Sequence, residues 1–283
     1  MNLTLITFHI DTAPVGSVGS VHPNANLERE SYLRMIDLMF RSARIHHPGC
    51  RAIVLTNDET DLSPLGDRYE VWRVPAKPET LMLDRTRAMA HTVRQLPNGS
   101  NALFLDSDIL INAPLDSLIQ ESFDIAFTYR DHPRHPINGG LIFAKLLRPD
   151  RVGAFFDAIL RTYLDRYAAA SSWFGDQDAI LDVLGRDQFA NRKNDVLTID
   201  GCVVRLLPCD TYNFSPAPLR NAIRTPLRDR LVLHFKGERK PLMSIFWNAY
   251  LLLREDRRPA NWLRSVGGRL RIRFGRKSFV SGR

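Results

Sequence analysis

Asp106-Ser107-Asp108 is the segment whose residue types and spacing speak first of chemistry. Two carboxylates stand two residues apart, after the apolar run Ala102-Leu103-Phe104-Leu105 and before Ile109-Leu110-Ile111. Residues two apart on an extended segment point the same way, so both carboxylates face one side. Two hard oxygen ligands facing together suit Mg²⁺ or Mn²⁺, above all an ion shared with phosphate oxygens. The bare pattern is common, and Asp176-Gln177-Asp178 repeats it. The apolar flanks single out the first copy, because ligands collect at the carboxyl ends of strands in open α/β sheets.

A second cluster follows the apolar run Leu231-Val232-Leu233, where His234 and Phe235 lead into Lys236-Gly237-Glu238-Arg239-Lys240-Pro241. Imidazole binds Mn²⁺ alongside carboxylates, so His234 is a candidate third ligand. Gly237 would let backbone N–H groups approach a phosphate. Lys236, Arg239 and Lys240 can offset diphosphate charge. A lone histidine after a strand is commonly structural, so the weight rests on the two clusters together. His132-Pro133-Arg134-His135 can be drawn as a metal pair, but its prolines read as a solvated loop without a further ligand set.

Positioning these groups requires an alternation of strands and helices. Leu3–Ile10 reads as a buried first strand, followed by a Gly/Pro/Asn-rich loop over residues 11–26. Tyr32, Ile36, Met39, Phe40 and Ala43 fall at helical spacing within residues 27–45. Strands are expected at 52–55, 70–74, 102–105, 109–111, 125–129, 140–144, 202–207 and 231–235. Helices are expected at 80–96, 176–184 and 243–253. Val152, Phe155, Phe156, Ile159, Leu160, Tyr163 and Tyr167 form the cleanest helical stripe and read as a core-facing helix. Such alternation predicts an α/β layer structure with a mostly parallel sheet.

Composition bounds the rest. The chain has 283 residues, 44% hydrophobic and 25% charged, which excludes disorder and fits one large domain. No apolar run reaches the ~18 residues needed to span a bilayer. Met1–Ile10 lacks the basic-then-apolar order of a secretory signal, so a cytoplasmic location is expected. Cys50, Cys202 and Cys209 are too few and scattered for a disulfide framework or zinc ribbon. The net charge of +8 is local, because nine basic residues and no acidic one lie in 257–283. Residues 1–256 are nearly neutral, which argues against nucleic acid as the partner.

Taken together, Asp106-Ser-Asp108 and His234-x-x-Gly237-x-x-Lys240-Pro241 resemble glycosyltransferase family 8, with its lipopolysaccharide α-galactosyltransferase and glycogenin relatives. Leu242 stands where that family has Trp. Ile137-Asn138-Gly139-Gly140, Asp176-Gln177-Asp178 and Leu207-Pro208 with Tyr212-Asn213-Phe214 are similar to its intermediate segments, in order, over residues 3–245. The resemblance implies an α/β GT-A fold, a mixed and mostly parallel central sheet flanked by helices. With the charge distribution, it sets a catalytic body over 1–256 and a basic amphipathic tail over 257–283. It also implies Mn²⁺ (or Mg²⁺) held by Asp106, Asp108 and His234 with a UDP-sugar diphosphate, and Gly237 and Lys240 on that diphosphate. Asn138, Asp176 and Gln177 would face the donor sugar, either Arg85 or Arg87 would contact the donor, and Thr7 would lie near the nucleobase. The implied reaction is retaining hexosyl transfer to a saccharide or glycolipid acceptor. Because Gln177 is a poor nucleophile, same-face attack assisted by the leaving phosphate is the expected route.

Three competitors are weaker. A haloacid-dehalogenase-type phosphatase would carry Thr or Val where Leu110 stands, and its motif would lie on the first strand. A sugar nucleotidyltransferase would carry a basic residue in the loop after the first strand, where residues 11–20 have none. A nucleic-acid module would leave both clusters unexplained. The tail interleaves Trp262, Leu263, Val266, Leu270, Ile272, Phe274, Phe279 and Val280 with its cations. That composition suits an anionic membrane surface on the cytoplasmic side. The period-two run Arg269–Phe274 alternatively reads as an edge strand.

Overall fold

The structure, a computed structural model, describes residues 2–11, 29–170, 173–216 and 227–274. The Gly/Pro/Asn-rich loop and the last nine residues of the tail lie almost wholly outside them. In chain order the regular elements begin with β1 (Leu3–Phe8), α1 (Arg29–His46), β2 (Arg51–Thr56), β3 (Glu70–Arg73) and α2 (Leu81–Gln95). Then come β4 (Asn101–Leu105), β5 (Ile109–Ile111), α3 (Asp116–Gln120), β6 (Ile125–Tyr129), β7 (Ile137–Lys145) and α4 (Pro149–Arg166). These are followed by α5 (Gly175–Leu184), α6 (Arg186–Ala190), β8 (Val196–Ile199), β9 (Cys202–Pro208), α7 (Cys209–Tyr212) and β10 (Val232–His234). The chain closes with α8 (Leu242–Phe246), a π-helical turn (Trp247–Leu251), α9 (Leu252–Glu255) and α10 (Pro259–Phe274).

Eight strands form one sheet in the order β3-β2-β1-β4-β7-β6-β9-β8. The half β3-β2-β1-β4 is parallel, β7 runs against both β4 and β6, β6 and β9 are parallel, and β8 closes the edge antiparallel. The alternation of side chains along each strand divides the core in two. Leu3 and Leu5 of β1, Leu103 and Leu105 of β4, and Leu141 and Phe143 of β7 pack toward α1 and the C-terminal helices. Ile6, Ala102, Phe104, Ile142 and Ala144 pack on the other face against α2, α4 and α5. Strands buried on both faces read as continuous apolar runs, which is why the central strands were legible.

Two topological facts build the functional edge. β7 enters antiparallel beside β4, so its first residues meet the end of β4, and the Asp106 N–H donates to the Gly140 carbonyl at 3.0 Å. β5 leaves the large sheet and pairs with β10, setting His234 opposite Ile109, while the Phe235 N–H donates to the Asp108 carbonyl at 2.8 Å. Residues more than a hundred apart in the chain thereby share one ledge.

The edge-strand reading of Arg269–Phe274 does not hold, since these residues end α10. The helix is tied to the body by Asn261, Ser265, Gly268 and Ile272, a stripe of helical spacing made of small and polar residues. A Cβ at Gly268 would lie 2.9 Å from the Ala249 nitrogen, so the two backbones touch. The Ala249 carbonyl, in the π turn, accepts from Arg269 Nε at 3.1 Å. Among the described residues no helix is long and apolar enough to cross a membrane.

Candidate functional site

Asp106, Asp108 and His234 converge at the end of β4, with one potential ligand atom of each within 4.8 Å of the others. His234 Nε2 lies 3.0 Å from Asp108 Oδ1 and 3.6 Å from Asp106 Oδ2. Asp108 is buried at 9% side-chain exposure, whereas Asp106 is 36% exposed, so the trio opens on the Asp106 side. Burial pushes the Asp108 carboxyl upward, but the His234 ring and Lys240 outweigh it and hold the group below the usual carboxylate range. A hard anionic pair with an imidazole is a donor set that fits Mn²⁺ or Mg²⁺.

Lys240 adds a cation at the same place. Its Nζ stands 3.8 Å from Asp108 Oδ2 and 3.4 Å from the Tyr32 hydroxyl, over the Tyr32 ring at 5.0 Å. Gly237 takes φ +55°, a left-handed conformation that glycine adopts without strain, and starts the 3-10 turn Gly237–Arg239 that delivers Lys240. Tyr32 was noted in sequence only as part of a helical stripe.

On the other flank, Arg85 of α2 joins the cluster. Its guanidinium donates to Asp106 Oδ1 at 3.0 Å, to Asp176 Oδ2 at 2.8 Å and to the Gly139 carbonyl at 2.7 Å. Arg87 points away and pairs with Asp84 on its own helix, so it does not join the cluster. Helical geometry explains the split, since residues two apart lie on opposite flanks. Asp176, at the start of α5, is fully enclosed, and burial lifts its carboxyl to about 6 despite the attraction of Arg85. The neighbouring Gln177 N–H donates to Asp176 Oδ1 at 2.8 Å, and Gln177 Oε1 is buried without a hydrogen-bond partner.

Asn138 lies between the flanks at the start of β7. Its side chain turns inward, where Oδ1 accepts from the Gly140 N–H at 3.1 Å and from Asn213 Nδ2 at 2.7 Å. Asn213 Oδ1 in turn faces His234 Nδ1 at 2.7 Å. The paired glycines are steric requirements here. A Cβ at Gly140 would lie 2.4 Å from His234 Cε1, and one at Gly139 would crowd Asp176 at 3.2 Å and Arg85 at 3.3 Å. Thr7 is closed within β1 opposite Val54, with its hydroxyl buried and unpartnered. His132 and His135 stack on each other in the β6–β7 loop and His135 stacks on Phe174 at 4.2 Å, which agrees with a loop rather than a metal pair.

No family model and no curated protein matches the chain at the level of sequence. Solved structures do. A glycosyltransferase involved in glycosylation of the major capsid of PBCV-1 superposes with a TM-score of 0.51 at 16% identity, over 87% of this chain and 100% of that one. The glycosyltransferase GlyE of Streptococcus pneumoniae TIGR4 gives 0.54 at 14% identity, over 94% of this chain and 60% of that one. The galactosyltransferase LgtC, solved with donor and acceptor sugar analogs, gives 0.51 at 14% identity, over 84% of this chain and 89% of that one. Identities this low speak of architecture alone, and the architecture of this chain is the GT-A glycosyltransferase fold.

Proposed function

We propose that the chain is a metal-dependent glycosyltransferase that moves a hexose from a UDP-sugar to a saccharide or glycolipid acceptor with retention of anomeric configuration. The observation that carries this reading is the convergence of Asp106, Asp108, His234 and Lys240 with the Arg85-linked Asp176 and Gln177 on one sheet edge. Asp106, Asp108 and His234 would hold the divalent ion. When bound, such an ion supplies electrostatic stabilisation of the negative charge that develops on a departing diphosphate.

The chain's own residues supply the remainder. Lys240 contributes a second positive charge beside Asp108, and Gly237 leaves room for main-chain contact with phosphate oxygens. Arg85 holds the Asp106 and Asp176 carboxylates in fixed relation. The unpartnered Gln177 Oε1 offers an acceptor to a sugar hydroxyl or to positive character at the anomeric carbon. Asn138 acts in this reading from within the wall rather than by reaching into the cleft with its amide oxygen. The test is a panel of UDP-sugars with Mn²⁺, scored by UDP release, on the wild type and Asp108→Ala. Release by the wild type and its loss in the variant are expected. No release from any donor, or full activity in the variant, overturns the reading. NMR of the product anomer tests retention, and a β-linked product from an α-donor refutes it.

The reading extends to location. On α10, Trp262, Leu263, Leu270 and Phe274 are exposed among Arg264, Arg271 and Arg273. Each cation near an anionic membrane surface contributes ~1 kcal/mol, so several with a few inserted apolar groups support reversible docking on the cytoplasmic face. Because α10 also covers the π turn, the test is substitution rather than deletion. Trp262→Ser with Phe274→Ser should lower binding to anionic liposomes while leaving UDP release intact, and unchanged binding refutes the docking role.

A further inference from the structure

Two main-chain groups next to the site have a polarity that no side chain can alter. The Gly140 N–H donates to Asn138 Oδ1 at 3.1 Å, and the Asn138 carbonyl accepts from Thr128 Oγ1 at 2.8 Å. A backbone N–H only donates and a carbonyl only accepts. Asn138 Oδ1 is therefore committed as an acceptor, and the Thr128 hydroxyl has used its proton. Both of these oxygens lie 2.7 Å from Asn213 Nδ2, so both require a donor there, and the Asn213 amide has one orientation that satisfies them. That orientation turns Asn213 Oδ1 toward His234 Nδ1 at 2.7 Å, which forces the Nδ1 position to carry the proton. Asn213 is 1% exposed and Thr128 is fully buried, so water does not offer an alternative partner. Steric packing adds to the constraint, since the imidazole lies against the main chain at Gly140 with no space for a Cβ.

We infer that Asn213 is a positioning residue that selects the Nδ1–H tautomer of His234, by relaying the polarity of the Gly140 N–H and the Asn138 carbonyl through one amide. The Nδ1 proton leaves Nε2, which stands 3.0 Å from Asp108 Oδ1 and 3.6 Å from Asp106 Oδ2, as the nitrogen that would meet a cation held between those carboxylates. The consequence for metal affinity rests on the proposed role of His234 as a ligand, whereas the tautomer itself does not. Partners of this kind typically change metal affinity by 10–100-fold when removed.

The experiment reads the tautomer directly. Long-range ¹H–¹⁵N correlation spectra of the full chain, recorded at alkaline pH, should show a proton on His234 Nδ1. A bare Nδ1 with the proton on Nε2 overturns the inference without recourse to any variant. Asn213→Leu should lose this preference, and its Mn²⁺ dissociation constant, read by electron paramagnetic resonance of free Mn²⁺, should rise 10–100-fold. Thr128→Val, which keeps the strand's shape and removes one anchor of the amide, should show a smaller change in the same direction. A folded Asn213→Leu with the wild-type tautomer and Mn²⁺ affinity overturns the inference. Failure of the wild type to bind Mn²⁺ would instead remove the metal reading, with the tautomer result standing on its own.

Discussion

The two flanks of the site are built by opposite means. On one, Arg85, Asp106 and Asp176 meet as full charges, and on the other Asn213, Asn138 and Thr128 meet as neutral dipoles. Attraction between charges is long-ranged and weakly directional, so the charged flank can hold Asp106 without a fixed hydrogen-bond sense. Its cost is that each ion depends on its partner once desolvated. The amide flank carries no net charge, and its value lies in the fixed sense of each hydrogen bond. The charged flank therefore governs strength, and the amide flank governs orientation.

The largest expected effect breaks the charged flank. Arg85→Met leaves Asp176 buried beside no cation, and removing one member of a buried pair costs ~3–5 kcal/mol. Urea unfolding measures this, and Arg85→Met combined with Asp176→Asn should recover most of the loss. A single variant as stable as the wild type would show that the pair contributes nothing. The next effect falls on the amide flank. Asn138→Leu strands the Gly140 N–H and one proton of the Asn213 amide, and an unsatisfied buried group costs ~1–3 kcal/mol. Thermal denaturation should register that loss together with a weaker preference for the Nδ1–H tautomer.

Proton linkage separates the flanks further. Asp176 titrates near about 6 in the folded chain against an ordinary 3.8, because burial disfavours its charge. Between those values the folded state holds the extra proton, so this group's contribution to stability is complete below pH ~4 and is lost as pH rises through ~6. Asp176→Asn should flatten that part of the stability profile, and an unaltered slope would show the carboxyl to be ordinary. The smallest effect is expected at Arg87, whose pairing with Asp84 leaves its side chain 46% exposed. Arg87→Gln should change stability by no more than ~1 kcal/mol and leave UDP release untouched. A loss of turnover there would reverse the assignment between the two arginines.

Much of the fold was readable because its central strands are apolar on both faces and its helices carry clear stripes. β8 was missed, although Asp200-Gly201 marks a hairpin turn, with φ of 48° and 76° at its two residues. The edge-strand alternative for Arg269–Phe274 failed because the contact stripe of α10 is Asn261, Ser265, Gly268 and Ile272. Backbone approach rather than apolar burial makes that contact, and hydrophobic periodicity does not register it. At the site, Asp106, Asp108, His234 and Lys240 were visible as residue types suited to metals and phosphates. Asn213 was seen as part of a similar stretch but not as a partner of His234, since an amide's role depends on what faces each of its ends.

The sequence alone determined the chemistry on offer: two carboxylates at a strand end, an imidazole at another, and a cation after a glycine. It also determined which strands lie in the middle of the sheet, because burial on two faces leaves an unambiguous apolar record. The tertiary structure decided which arginine joins the carboxylates, how deeply Asp176 is buried, and which nitrogen of His234 faces Asn213. Those outcomes depend on distance, desolvation and hydrogen-bond direction among residues far apart in the chain, and such quantities exist only once β5 has paired with β10 and β7 has entered against β4.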